Sequence, residues 1–285
     1  MRVWRKRRVR RMGGAMNYRH QFHAGNQADC VKHALFVALL RGMQRKPKPL
    51  MVLDTHAGLG AYDLQSPASQ RTLEAQSGIV RLRAAAPPAL ADYLGLAGAA
   101  DAYPGSPALA RALLRAEDRL VLCELHTEDG AALRRRYRDD PSVHVHIRDG
   151  YAALKALLPP PERRALVLID PPFEQQDEFS TLATGLALAQ ARFRAGVYTA
   201  WYPLKSRAPV RDFHAALQVL GVLDVIDCTF AWRAPLDAMR LNGCGLVVVN
   251  PPYQFAAEAE TILAALASVF AEEGAFWSVT RVTDE

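Results

Sequence analysis

The apolar run Ala165-Leu166-Val167-Leu168-Ile169 closes on an aspartate, two prolines and an aromatic, Asp170-Pro171-Pro172-Phe173. Each proline fixes φ and removes a donor, so a carboxylate and a row of carbonyls are held rigidly where a buried strand ends, with a ring beside them. That combination suits alkylation of an adenine amino group. The N6 lone pair is delocalised into the base and is a poor nucleophile. Acceptors from Asp170 and a proline carbonyl localise it and take its proton, while Phe173 stacks on the extruded base. Placing the nitrogen in line with a sulfonium methyl then supplies proximity and orientation. The pattern recurs as Asn250-Pro251-Pro252-Tyr253. Asp170 ends the fourth strand counted from the glycine turn described next, whereas Asn250 ends the last, at the far part of the sheet, so Asn250 is read as structural.

Further sites accompany the first. The strand-like Leu50–Leu53 runs into Asp54-Thr55-His56-Ala57-Gly58-Leu59-Gly60, a turn whose glycines would let backbone approach a nucleoside-like ligand. An ordinary tight βα turn is the alternative. Glu124 stands at a strand end, where a carboxylate can accept from ribose hydroxyls, but it follows Gly60 by 64 residues instead of the usual roughly 20. An insertion would explain the gap. Asp149-Gly150 reads either as an acceptor for an adenine amino group or as a plain turn. Ser106, before Pro107 and a helical run, reads first as a helix N-cap. His20, His23, Cys30 and His33 imitate metal-ligand spacing, yet the gap between the pairs is short for a structural site, and no metal is expected. Neither a nucleophile elbow nor a phosphate-binding loop occurs.

The elements that must hold these residues alternate. Val31, Ala34, Leu35, Ala38 and Leu39 recur with helical period, and the prolines at 47 and 49 end that helix. Strand-like runs follow at 50–53, 119–125, 143–147, 165–170, 196–203, 223–232 and 245–252, most of them separated by helical stretches. This predicts an α/β, doubly wound, mainly parallel seven-stranded sheet. Residues 62 to about 104 are rich in Ala, Pro and Leu with helical patterning and are expected to form a small helical insertion.

Composition narrows the class. Half the 285 residues are apolar, enough for a sizeable core, and no run has the roughly 18 consecutive apolar residues of a membrane helix. The four cysteines Cys30, Cys123, Cys228 and Cys244 are scattered, as expected of reduced thiols in a cytoplasm. A net charge of +6 suggests nucleic acid, but residues 1–15 hold seven bases and no acid, and from Met16 onward the charge is −1. Residues 1–15 are expected to be an upstream extension before a start at Met16, with a disordered basic arm or a transit-type leader as the alternatives, and residues 16–285 the folded domain.

Through YRHQFHAGNQADCVKH, LDTHAGLG, YPGSP, Glu124, DGY and DPPF, the chain resembles the bacterial 23S ribosomal RNA adenine-N6 methyltransferase J family. The resemblance implies a Rossmann-like class I methyltransferase with a helical subdomain inserted after its first strand and helix. It implies S-adenosylmethionine as cofactor, contacted by Lys32, His33, His56, Ser106, Glu124, Asp149, Gly150 and Asp170. Asp170 would be the catalytic acceptor, and Tyr18 and Phe173 would touch substrate. It further implies a cytoplasmic enzyme acting on naked or precursor 23S rRNA, without membrane or obligate protein partner, and monomeric. Phe173 departs from the family's usual Tyr but keeps the stacking face. DNA adenine or protein glutamine methylation, or RNA binding without catalysis, are the alternatives.

Overall fold

The computed structural model describes residues 20–99 and 101–284, so Tyr18 and the basic segment 1–15 lie outside the described residues. The chain enters α1 (Gln27–Gln44), capped by the Asn26 side chain, which accepts from Asp29 N. It crosses β1 (Met51–Asp54) into the short β2 (Ala61–Asp63). Helices α2 (Pro67–Thr72), α3 (Arg81–Ala85) and α4 (Ala91–Leu96) follow, and β3 (Ala102–Pro104) returns antiparallel beside β2. Next come α5 (Ser106–Leu113), β4 (Arg119–Glu124), α6 (Thr127–Arg136), β5 (Val143–Ile147), α7 (Gly150–Leu157) and β6 (Ala165–Ile169). The chain continues through α8 (Glu178–Arg192), β7 (Val197–Leu204), α9 (Arg207–Val219), β8 (Val225–Ala231), β9 (Gly243–Val249), α10 (Phe255–Phe270) and β10 (Phe276–Thr283).

The main sheet has the order β10-β8-β9-β7-β6-β1-β4-β5. Strands β5, β4, β1, β6 and β7 run parallel, and β9 is antiparallel to both β7 and β8. Strands β1, β6, β8 and β9 are buried at every residue, the mark of strands covered on both faces. One layer packs α1, α5, α6 and α10 against the sheet, and the other packs α7, α8 and α9. Helix α1 is buried almost all round, beyond the single stripe its period suggests, because the sheet, α10 and the segment between β2 and β3 all cover it.

Two departures from expectation are instructive. The sheet has eight strands where seven were expected. The additional strand β10 pairs antiparallel with β8 at an edge, and its residues are all half-buried or exposed, so Phe276-Trp277-Ser278-Val279-Thr280-Arg281 shows no continuous apolar run. The expected helical stretch 62–104 also begins and ends in the paired strands β2 and β3, too short at three residues to show alternation. This segment braces the approach to α1: Ile79 N donates to Gly25 O at 2.8 Å. At Gly78 a Cβ would meet Gly25 O at 2.0 Å, so only glycine fits. Among the described residues no helix is long and apolar enough to cross a membrane.

Candidate active site

The carboxyl ends of β1, β4 and β6 converge, and the turn after β1 is threaded between its neighbours. Thr55 N donates to Leu168 O at 3.0 Å and Ala57 N to Cys123 O at 2.9 Å. Gly58 and Gly60 take φ of +58° and +79°, a region that favours glycine. Glu124, last in β4, accepts from Gly58 N at 2.8 Å and from His126 N at 2.7 Å, one bond on each oxygen. Burial raises its pKa, and these two N–H groups work against the rise. Each oxygen keeps a second lone pair that these two bonds do not use. Across the turn, Gly150 opens α7 so closely that a Cβ would meet Thr55 O at 2.3 Å. Asp149, exposed, caps that helix by accepting from Ala152 N at 2.7 Å.

His56 is held in one tautomer. The Thr55 hydroxyl donates to Leu168 O at 3.0 Å, so the 2.8 Å contact between Thr55 Oγ1 and His56 Nδ1 requires Nδ1 to donate. Burial draws the His56 pKa down to about 4, and the neutral ring offers Nε2 as an acceptor.

Asp170 follows β6 and meets a lysine from the far end of the sequence. Its Oδ2 lies 2.6 Å from Lys32 Nζ, which also reaches Asp29 Oδ1 at 2.9 Å. Lys32 is buried, and burial alone would lower its pKa, yet Asp170 and Asp29 hold the ammonium well above its usual value. Asp29 is buried as well; His20 Nε2 and Gly25 N bind its Oδ2 at 2.9 Å each. Burial would raise Asp29, but His20 and Lys32 hold it well below the ordinary carboxylate range. Oδ1 of Asp170 takes no hydrogen bond among the described residues, and that side chain is 16% exposed. The network thus anchors one oxygen and leaves the other as acceptor.

Phe173 adopts φ +50°, costly for a bulky residue unless its surroundings impose it. Its ring stands edge-on to Phe179 at 4.9 Å and to Trp201 at 5.8 Å. Trp201 sits one residue beyond Ala200, the partner of Ile169, and so flanks Asp170 on the neighbouring strand.

Ser106 and His33 form the wall toward α1. Ser106 is the first residue of α5, and the cap itself is the extended Gly105, correcting the N-cap expectation. The Ser106 hydroxyl instead donates to Asp54 Oδ2 at 2.6 Å. Burial raises Asp54 to about 6, with Ser106 and the His56 N–H opposing. His33 is buried with Nδ1 2.7 Å from Tyr103 OH, which meets Tyr93 OH at 2.9 Å. Burial lowers the His33 pKa to about 3. Its Nε2 is buried without a partner among the described residues. Asp29, Asp54 and Trp201 were not singled out from sequence. The first was legible as an acid three residues before Lys32 on a helix, the second as an acid at the end of a buried strand.

The four metal-like residues go separate ways: His20 to Asp29, His23 to Glu74 at 2.8 Å, His33 to Tyr103, and Cys30 into the core. Asn250 is placed away from Asp170. Since β9 runs antiparallel and Val249 pairs with Tyr198, Asn250 lies by the start of β7, at the opposite end of the sheet's strands. Its amide donates to Arg194 O at 2.8 Å and Gly196 O at 2.6 Å.

Residues 47–283 match the family described as ribosomal RNA large subunit methyltransferase D, RlmJ. The chain belongs to this family. It is 36% identical to ribosomal RNA large subunit methyltransferase J of Haemophilus influenzae over 280 residues, 95% of this chain and 100% of the relative. Against the protein of the same name in Escherichia coli it is 36% identical over 256 residues, covering 87% and 91% of the two chains. A crystal structure of protein LPL1258 from Legionella pneumophila superposes with a TM-score of 0.84 at 33% identity, covering 91% of this chain and 98% of that one. The fold is the Rossmann-like class I methyltransferase fold, and the cofactor of such an RlmJ-family enzyme is S-adenosylmethionine.

The site fits that cofactor. Glu124 provides acceptor lone pairs at a strand end and the neutral His56 provides another, while Gly58 and Gly150 let the turn close against Tyr62 and Thr55 beside them. The buried, unpartnered His33 Nε2 is a polar atom that a ligand group would satisfy.

Proposed function

We propose that this RlmJ-family enzyme methylates the N6 amino group of a specific adenine in 23S rRNA, acting as a monomer in the cytoplasm on naked or precursor RNA. The observation that carries the proposal is Asp170: one carboxylate oxygen fixed by a buried lysine, the other without a hydrogen bond among the described residues and beside two prolines and a strained aromatic. Bound S-adenosylmethionine supplies an electrophilic methyl group. Asp170 Oδ1 and the Pro171 carbonyl accept from the amino N–H groups, which directs the nitrogen lone pair out of the plane of the base. As the C–N bond forms and the methyl group's bond to the sulfonium sulfur breaks, leaving a neutral thioether, the amino proton would pass to the Asp170 carboxylate. Phe173 offers a face for the extruded base, and Trp201 and Phe179 fix the angle of that face. Glu124 would hold ribose hydroxyls, and Asp149, His33, His56 and Ser106 would line the cofactor. Lys32 would act through Asp170, since two carboxylates already engage its ammonium. The target must be unpaired or extrudable, which favours RNA before burial in the subunit.

The test is incubation with radiolabelled S-adenosylmethionine and protein-free 23S rRNA, alongside Asp170→Ala, with chromatography of the labelled nucleosides. N6-methyladenosine from the wild type alone is expected. Unlabelled rRNA, or equal label from the variant, overturns the proposal and directs attention to protein or DNA substrates.

A further inference from the structure

Beyond Asp170 the sheet rises toward an exposed loop. Strand β7 continues four residues past Ala200, the partner of Ile169, or about 13 Å at the usual rise. There β8 and β9 end beside it, with Leu204 and Ala231 both paired to Gly243. The segment between them, residues 232–242, therefore stands at the same end of the sheet's strands as Asp170.

This loop is built, and it holds two large apolar side chains outward. Asn242, buried, donates through Nδ2 to Lys205 O at 2.8 Å and Asp237 O at 2.7 Å, and through its backbone N–H to Leu204 O at 3.0 Å. Asp237 Oδ1 accepts from Met239 N at 2.9 Å, and Asp237 O accepts from Arg240 N at 3.2 Å. At the tip Leu236 is 91% and Met239 88% exposed. A loop so tied could turn these side chains into the core at its base, where Trp232 is buried and Leu241 packs; it presents them to solvent. The loop and the segment that follows β7 carry cations. Lys205, Arg211 and Arg240 are exposed and make no ion pair among the described residues, whereas Arg233 is paired with Glu272 and Arg207 stacks on Phe276. Asp212 and Asp237 are the acids of the same segments, and Asp237 is engaged in the turn. Arg240 lies on the loop itself, and Lys205 is tied to it through the carbonyl that Asn242 binds.

We propose that the loop 232–242 is an RNA-docking element that rests on the functional reading above. Leu236 and Met239 pack against the bases flanking the extruded adenine, and Lys205, Arg211 and Arg240 bind their phosphates. Apolar wedges of this kind stabilise an unstacked step, and the cations supply affinity that falls with salt. A polypeptide partner would equally cover apolar side chains, but it would not favour unpaired cations on a site edge that must admit a polyanion.

The test measures filter binding to protein-free 23S rRNA and methyl transfer to it for Leu236→Ser/Met239→Ser, Lys205→Glu/Arg240→Glu and, as a control at the opposite end of the strands, Tyr253→Ser. The charge reversal is expected to weaken rRNA binding at least about tenfold and to flatten its salt dependence. The apolar double variant is expected to lower kcat/KM about tenfold, with unchanged affinity for S-adenosylmethionine and an unchanged Tm. Tyr253→Ser should alter neither. Wild-type rRNA affinity in the charge reversal overturns the docking assignment, as does wild-type kcat/KM in the apolar variant. If the wild type binds rRNA without methylating it, the functional reading fails, and the loop is then judged on binding alone: loss in both double variants supports it and wild-type affinity in either refutes it.

Discussion

Two strands of one sheet, β6 and β9, end in a polar residue, two prolines and an aromatic, and the structure gives the two endings opposite fates. β6 runs with its neighbours, so Asp170 emerges where β1 and β4 also end and where the Gly58 turn and Glu124 gather. β9 runs against them and delivers Asn250 to the other end of the sheet's strands. At the first ending the side chain meets a buried lysine through one oxygen and keeps the other without a partner among the described residues; at the second the amide is consumed by two backbone carbonyls of the turn before β7. The backbone differs in the same sense. The left-handed residue at β9 is Asn250 itself, φ +52°, a type that tolerates it, whereas at β6 it is Phe173, φ +50°, which does not. A four-residue pattern acquires chemistry from the direction of the strand that carries it.

The sharpest way to break this comparison is to exchange the polar residues. Asp170→Asn removes the proton acceptor and should lower kcat by about 10²- to 10⁴-fold, with S-adenosylmethionine affinity measured by calorimetry as the control for folding. Asn250→Ala should leave kcat within about twofold and cost about 1–2 kcal/mol of stability, read by urea denaturation, because two carbonyls lose their donor. Comparable activity losses from both would show that the two ends are not distinct.

The second difference is the lysine, which has no counterpart at β9. Lys32→Met keeps the stem volume and strands Asp29 among buried atoms. Breaking a buried pair this way should destabilise the fold by about 3–5 kcal/mol, measurable by urea denaturation. A loss under about 1 kcal/mol would mean that Asp29 is satisfied by His20 and Gly25 alone.

These effects also mark how far the sequence could be read. Buried parallel strands such as Ala165–Ile169 announce themselves as unbroken apolar runs, and the doubly wound core follows from their alternation with helices. The edge strand β10, half polar along its length, and the three-residue strands β2 and β3 carry no such signal. At the site, Asp170, Glu124 and Gly150 were visible because strand ends and glycines mark themselves locally. What stayed hidden was long-range pairing: Lys32 with Asp170 across 138 positions, and Ser106 with Asp54 across 52. Nothing local distinguishes a buried lysine from a solvated one, and a serine before a helical run reads as a cap until the extended residue is found one position earlier, at Gly105. Trp201 lay within a strand-like run whose register with β6 only the folded sheet determines.

The smallest expected effect concerns the two rings. Tyr253 is 85% exposed and its replacement by leucine should change neither activity nor stability beyond about 0.5 kcal/mol, as for most surface positions. Phe173→Leu retains apolar volume against Phe179 and Trp201 but gives up the flat face on which a base would stack, a contact of about 1–3 kcal/mol. A tenfold to hundredfold lower kcat/KM on rRNA is therefore expected, in contrast to Phe173→Tyr, which keeps the face and should stay near the wild type. Equal activity of the leucine and tyrosine variants would make Phe173 a packing residue. Its left-handed backbone would then serve only to seat a side chain between Phe179 and Trp201, and the base would have to find its platform in Trp201, the other ring that flanks Asp170.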